Sequence, residues 1–279
     1  MNTNSFAFQG VNGAYSEQAG KNVFPDAKSL PCSTFEEMFA CVREDKADIA
    51  LVPIENSQAG RVADTQRLIP DSDLNIIGEY FLEVRHNLLA VPGTNINDIK
   101  RVHSHEQGIA QCRNKIIKLN KQMVIAADTA GSAKKISELK NKEDAAIASS
   151  LAAEIYNLEV LEANFQDAEY NVTRFLIMSK DKSDIKSSES NILTTLVFVV
   201  RSIPASLYKC LGGFASNGVN ITKLESYIHP QGFDVAQFYI DFEGHPENNA
   251  VKLALEEMKF FCKEIKILGV YKKSDFRKK

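Results

Sequence analysis

Short apolar runs alternate with stretches of helical periodicity along the first two-thirds of the chain. The runs predict strands over residues 6–8, 49–52, 76–84, 88–91, 102–105, 124–127 and 145–148, with a further strand at "RFLIMS". Between them, apolar positions spaced three and four apart predict helices over residues 16–22, 62–69, 109–119, 132–139 and 151–155. Thr34, just before "FEEMFACVRE", and Glu37 within it stand three apart, the spacing of a capping box, so a helix is predicted there too. Strands and helices in turn imply an α/β region with a largely parallel sheet covered on both faces.

The pattern changes at residues 181–190, "DKSDIKSSES", which are charged, serine-rich and nearly free of large apolar residues, as a linker is. Beyond it, a strand over 192–200 is followed by a helix over 204–216 that proline opens. Two strands over 219–228 and 234–243 are joined by the turn-like "HPQG". An amphipathic helix with Pro246 near its start and a strand over 265–271 complete the order βαββαβ, a ferredoxin-like split unit. The basic tail "KKSDFRKK" reads as solvated.

Composition narrows the class. The chain has 279 residues, 44% of them apolar and 25% charged, as in a globular protein of one large or two ordinary domains. A net charge of −3 gives no general attraction to nucleic acid or to a membrane surface. The N-terminus lacks the basic and apolar regions of a signal peptide, and the apolar run 192–200 is too short to span a bilayer. Five scattered cysteines, odd in number and without a CxxC pair, read as reduced thiols of a cytoplasmic protein.

Candidate chemistry gathers where strands give way to helices. "FQGVNGAYSE", "PIENSQAGR", "HSHEQGIAQC", "DTAGSAK" and "ASSLAA" each pair small residues with Ser, Thr, Asn or Gln. Taken singly, each reads as a helix N-cap. Five of them, with Arg61, also fit the walls of an anion-binding cleft beyond the carboxyl ends of parallel strands. Other signals point to no chemistry. His103 and His105 share a strand face and Glu106 follows, but further metal ligands and an HExxH pattern are absent, so a hydrogen-bonding role is preferred. There is no GxGxxG, Walker loop or GxSxG elbow, and Cys112 falls on a helix where a small apolar residue would serve. "EYNVTRFLIMSK" on its own reads as a strand start with an exposed arginine.

Taken in order, "FQGVNGAYSEQA", "VPIENSQAGRV", "VHSHEQGIAQC", "DTAGSAK", "AAIAS" and "NVTRFLIM" closely resemble prephenate dehydratase, an enzyme of phenylalanine biosynthesis. "PASLYKCLGGFASNGVNITKLES" resembles the ACT regulatory domain attached to it. The resemblance implies a two-lobed α/β catalytic domain, similar to periplasmic binding proteins, over residues 1–180. Lobe one covers about 1–80 plus 173–180 and lobe two about 81–165. An ACT domain follows over 191–279. With "FAFQG" so near the start, the chorismate mutase region of the bifunctional versions is not expected. The implied reaction turns prephenate into phenylpyruvate with loss of carbon dioxide and the ring hydroxyl, without metal or organic cofactor. Arogenate, the amino counterpart, is an alternative substrate, and a non-catalytic sensor of small anions or amino acids is a rival of another class.

The resemblance carries roles to particular residues. Thr173 of "TRF" is the implied catalytic residue, read here as a hydrogen-bond donor to the leaving hydroxyl. Arg174 is the implied bidentate partner of a substrate carboxylate, with a salt bridge between lobes as the alternative. Asn56, Ser57, Ser104, Gln111 and Phe175 are implied substrate contacts, and Ser16 and Thr129 sit at helix starts suited to a carboxylate. Glu55 orients neighbours, since it would repel a dianion. The family's "SHPQ" is "SHEQ" here, with Glu106 in place of proline. The ACT motifs "GAL" and "ESRP" fall on Ala205, Ser206 and Leu207 and on Glu225, Ser226, Tyr227 and Ile228. Ala205, Ser206, Leu207, Glu225 and Ser226, with Asn217, Val219 and Asn220, form the implied site for an amino-acid effector, L-phenylalanine. Side-by-side pairing of ACT domains implies a homodimer or homotetramer.

Overall fold

A computed structural model of the chain describes residues 3–228 and 236–278. The chain divides into two compact units. One holds the residues up to Gln66 together with Tyr80–Phe175, and the other holds Arg67–Glu79 and the residues from Leu176 onward.

The first unit has two lobes, each with its own sheet. Lobe one opens with β1 (Ser5–Gln9), α1 (Tyr15–Val23), β2 (Lys28–Cys32), α2 (Phe35–Arg43) and β3 (Ile49–Asn56). The short β4 (Gly60–Arg61) and α3 (Ala63–Leu68) follow. β1 lies between β2 and β3, parallel to both, with Phe6 opposite Ser29 and Ile49. Phe6, Ala7 and Phe8 are all fully buried, which is why β1 reads as an unbroken apolar run rather than an alternation. The expected cap of α2 forms: Thr34 Oγ1 accepts from Glu37 N at 3.1 Å. Glu37 Oε2 in turn accepts from Ser33 N at 2.6 Å, one residue earlier than in a standard capping box. The edge strand β2, "KSLPC", was not expected; its pattern is half exposed and carries Pro31, which an edge tolerates.

The chain continues with β5 (Asn75–Glu83), β6 (Asn87–Ala90), β7 (Arg101–His105), α4 (Glu106–Gln111), α5 (Arg113–Lys118) and β8 (Gln122–Ala126). Then come α6 (Thr129–Leu139), β9 (Asp144–Ala148), α7 (Ser150–Ile155), β10 (Glu159–Glu162) and β11 (Val172–Ser179). The sheet of lobe two runs β10-β6-β9-β7-β8. β7 is parallel to β8 and β9, but β6 runs antiparallel to both its neighbours, β9 and the unexpected β10, so this sheet is mixed rather than largely parallel. Both faces are covered, as expected: Leu88, Val102, Ile147 and Phe165 pack on one side, Leu89, Ala146, Ala148 and Ile136 on the other. Burying a side chain of this size is worth about 1.5–3 kcal/mol, so the two layers anchor every strand between them.

Two helix expectations need correction. The single helix over 109–119 is two, broken at Cys112, whose φ of −119° leaves the helical range. The first begins at Glu106, because His105 Nδ1 accepts from Gln107 N at 3.2 Å and caps it. Glu106 thus occupies the first helical position, where a proline also fits and where a carboxylate favours the helix dipole. The helix expected from Ser132 begins at Thr129, because Asp128 caps it.

In the second unit, β12 (Ile192–Val200), α8 (Ser206–Ser216), β13 (Ile221–Ile228), β14 (Ala236–Glu243), α9 (Asn249–Lys259) and β15 (Cys262–Lys272) realise the expected βαββαβ order. The strands run antiparallel in the order β13-β14-β12-β15, over a core that includes Phe198, Phe214, Phe238 and Phe242. α8 starts two residues later than expected, because Ala205 takes a left-handed φ of 59°. The expected "HPQG" turn, residues 229–232, lies outside the described residues, as do 234 and 235 of the next strand. At β15, Gly269 pairs with Ile76, and a Cβ there would meet Ile76 O at 2.1 Å, so only glycine permits the approach.

The tail departs from the solvated reading. Ser274 N donates to Glu79 Oε1 at 3.0 Å, and Arg277 clasps the same carboxylate at 2.7 and 2.9 Å. Among the described residues no helix is long and apolar enough to cross a membrane.

Candidate active site

The carboxyl ends of β1, β3, β7 and β8 and the start of β11 converge on a cleft of about 820 Å³ within the first unit. This is where an open parallel arrangement presents its loops and helix starts to a ligand. Contacts across the lobes fix its walls. Tyr156 Oη donates to Asn12 O at 2.7 Å, and Ser149 Oγ to Gly13 O at 2.6 Å. Gly13 has a φ of 88°, and a Cβ there would meet the backbone of Ala152 at 2.8 Å, so the loop after β1 docks directly on α7.

On β11, side chains alternate between faces. Thr173 and Phe175 line the cleft and Arg174 between them does not. The Arg174 side chain is 1% exposed, and its Nη1 stands 3.1 Å from Glu55 Oε1. Of the two readings of Arg174, the geometry has a salt bridge, made within lobe one rather than between lobes, and Glu55 orients its neighbour as expected.

Asn56 lines the cleft and is held from four sides. Its Oδ1 accepts from Gln58 N at 2.9 Å and Ala59 N at 2.8 Å. Its Nδ2 donates to Asn171 Oδ1 at 2.8 Å and to Thr173 Oγ1 at 2.9 Å. Asn171 Nδ2 donates to Gln111 Oε1 at 2.9 Å. The cleft therefore holds Thr173, Asn56, Gln111, Phe175, Ser16 and Thr129 together. Ser57 and Ser104 stay outside it. Ser57 Oγ accepts from Val172 N at 2.9 Å and ties β3 to β11, while Ser104, fully buried, donates to Ile147 O at 2.8 Å.

The structure adds lining residues to which the sequence assigned no site role: Tyr15, His86, Asp128, Lys134 and Tyr156. Asp128 and Lys134 are the charged ones among the described lining residues. Asp128 Oδ1 accepts from Gly131 N at 2.5 Å, so α6 meets the cleft with a carboxylate rather than with bare N–H groups. By contrast α1 follows its N-cap Ala14 without a side-chain cap, so its first-turn N–H groups near Ser16 are open to an anion, beside the Glu17 carboxylate, which accepts from Gly13 N at 2.6 Å. Burial, reinforced by Asp128, raises the Tyr156 phenol above its ordinary range. A signal for Asp128 was present, since Asp before a helix is a strong cap, but a cap looks the same wherever it points.

The histidines of β7 do hydrogen-bonding work. His103 Nε2 stands 3.0 Å from Asp144 Oδ1, which Arg101 also holds, and His105 caps α4. Among the described residues no group of three or more His, Cys, Asp or Glu side chains is placed to hold a metal ion. Cys112 is fully buried, and burial pushes its thiol far up, as suits a core residue.

The implied effector residues lie in the second unit. Ala205 and Ser206 start α8, and Leu207 and Val219 pack against the core. Asn217 ends α8, donating to Gly213 O at 2.8 Å and to Glu257 Oε1 at 2.9 Å. Asn220 O accepts from Glu243 N, Glu225 pairs with Lys223 at 2.6 Å, and Ser226 follows on β13.

Comparison with known proteins agrees with the geometry. The prephenate dehydratase family model matches residues 6–183. A bifunctional N-acyl-homoserine lactone acylase/prephenate dehydratase of Komagataeibacter europaeus is 45% identical over 98% of this chain and 97% of its own. An arogenate dehydratase/prephenate dehydratase of Arabidopsis thaliana is 38% identical over 95% of this chain and 72% of its own. The crystal structure of prephenate dehydratase from Arthrobacter aurescens, in complex with L-Phe, superposes with a TM-score of 0.87 at 32% identity, covering 97% of this chain and 90% of that one. A family model across most of the chain, with relatives aligned along nearly all of it, makes this chain a member of the prephenate dehydratase family.

Proposed function

We propose that this protein is a lyase that aromatises prephenate or arogenate in the cleft, with Thr173 as the catalytic residue. Loss of the ring carboxylate as carbon dioxide pushes its electron pair through the ring and expels the ring hydroxyl, which leaves as water after taking up one proton. The driving force is aromaticity, so the protein needs only to orient the substrate and stabilise the departing oxygen. The observation that carries this reading is the Asn56–Thr173 bond. Thr173 Oγ1 accepts from Asn56 and keeps its own proton to donate to the leaving oxygen. Substrate carboxylates meet Ser16 and the uncapped start of α1, with Lys134 as the cation. Phe175 gives the ring an apolar wall and Gln111 supplies an amide. Ser57, Ser104 and Arg174 support these groups from outside the cleft.

One observation favours the amino substrate. Asp128 places a carboxylate among the cleft-lining groups, where it attracts the α-ammonium of arogenate and repels the α-keto acid's uncompensated charge.

We further propose residues 191–279 as an ACT regulatory domain that takes L-phenylalanine, with residues 181–190 as linker and 1–180 as the catalytic domain. The βαββαβ order supports this, as does the L-Phe bound in the relative from Arthrobacter aurescens. A cytoplasmic dimer or tetramer paired through these domains fits the same reading.

The test is direct. The purified protein is mixed in turn with prephenate, arogenate and an N-acyl-homoserine lactone, with and without L-phenylalanine, and each product is followed. Turnover of either ring substrate supports the proposal. Tight binding without turnover makes the cleft a sensor, and cleavage of the lactone alone replaces the lyase reading with an acylase.

A further inference from the structure

We propose that His86 is a positioning residue: its Nε2–H, held by Gln111, sets the direction of an amide relay that leaves the Thr173 proton for the substrate. The inference rests on the reading of Thr173 given above.

The direction follows from two backbone amides. Gln58 N and Ala59 N can only donate, so the Asn56 atom facing them is Oδ1. Asn56 Nδ2 must then face Asn171 and Thr173. The Asn171 atom it meets is the acceptor Oδ1, so Asn171 Nδ2 faces Gln111. Gln111 answers with Oε1, and the same oxygen lies 2.7 Å from His86 Nε2. A carboxamide oxygen only accepts, so His86 Nε2 carries a proton. In the neutral ring Nδ1 is then an acceptor, and Tyr15 Oη, 2.7 Å away from it and 3.2 Å from Arg85 O, is placed to donate to it at the shorter distance. No member of the series can be reversed alone without setting two donors or two acceptors face to face.

The far end is built to hold one state. His86 is 3% exposed. Its backbone N donates to Gln166 Oε1 at 2.9 Å, its carbonyl accepts from Phe165 N at 2.6 Å, and Tyr15 lies edge-on to the ring at 5.4 Å. Burial drives Tyr15, which stands against the ring, and Cys112, which acts on Tyr15, toward their neutral forms. Burial likewise lowers the His86 imidazole, against the smaller opposing effect of Gln111, and so favours the neutral ring. His86 touches Gln111 rather than Thr173, so it acts through the amides.

Two measurements test this. Nitrogen-15 spectra of histidine-labelled protein, with His86 assigned by its loss in His86→Gln, are expected to show the neutral Nε2–H tautomer at pH 7. The Nδ1–H tautomer or an imidazolium overturns the proposal. In steady-state kinetics, His86→Leu is expected to lower kcat about 10²-fold with KM unchanged, the cost of a misplaced catalytic group. His86→Gln, whose amide nitrogen restores a donor at the same reach, recovers most of that loss. Equal kcat for Leu and Gln, or a loss confined to KM, reduces His86 to a packing residue. If His86→Leu does not fold, the tautomer decides. If the wild type turns over neither ring substrate, the proposed function falls, and the tautomer alone still decides the direction of the relay.

Discussion

Asn56 Nδ2 lies 2.9 Å from Thr173 Oγ1, so the threonine hydroxyl is an acceptor on its protein side and a donor on its open side. This makes the amide of Asn56 part of the chemistry. Thr173→Ala is expected to lower kcat about 10²–10³-fold, the usual cost of one transition-state donor. Asn56→Asp should be similarly harmful, because a carboxylate accepts the Thr173 proton instead of leaving it for the substrate. Thr173→Ser retains a hydroxyl and should retain part of the activity. Near wild-type kcat in Thr173→Ala removes the role given to this residue.

Arg174 sits in the same motif but acts through the fold. Its guanidinium is buried against Glu55 on the face of β11 turned from the cleft. Arg174→Ala should destabilise the protein by about 3 kcal/mol, at the lower end for a broken buried pair because Glu55 can still reach water. Urea unfolding measures it. An unchanged midpoint with a sharp rise in KM would return Arg174 to a ligand role.

Asp144 gives the acid limb of stability. Its carboxyl, ordinarily near 3.8, is held at about 2, chiefly by Arg101, whose Nε and Nη2 donate at 2.6 and 3.1 Å. A depressed folded pKa contributes stability above the unfolded value, and that stability is lost as pH falls from about 4 toward 2. Solvent screening limits the contribution to about 1 kcal/mol. Urea unfolding at pH 7 and pH 3 should show a smaller difference for Asp144→Asn than for the wild type. An identical pH dependence would contradict this.

Arg277 closes the second unit onto a fully buried carboxylate, Glu79, and stands 3.9 Å from Asp241, also buried. Arg277→Ala leaves both acids without this cation and should cost about 3 kcal/mol. Calorimetry should show a lowered transition for Arg277→Ala, and Arg277→Lys should recover only part of it, since a lysine cannot make the two-pronged contact. An unchanged transition would restore the solvated reading of the tail.

Much of this protein was legible along the chain. Largely apolar runs such as residues 192–200 announce strands buried on both faces, and Thr34 with Glu37 announces a helix start, because both signals act within a few residues. The motifs around Asn56, Gln111 and Thr173 could be placed at strand ends for the same reason. Strands β2 and β10 were missed because edge strands are half exposed and bury too little to impose a pattern. Placing Arg174 at the substrate beside Thr173 and Phe175 overlooked the period-two alternation of a strand, which turns Arg174 to the other face.

Which of those faces looks into the cleft was decided by tertiary structure. So was the meeting of Asn56 with Asn171, 115 residues later, and of Glu79 with Arg277, 198 residues later. The sequence by itself determined the kinds of element, their order and the donors and acceptors available at each junction, since these depend on local periodicity and side-chain chemistry. Only the folding of the chain in space decided which donor meets which acceptor. A hydrogen bond depends on separation in space, and separation along the chain does not set it.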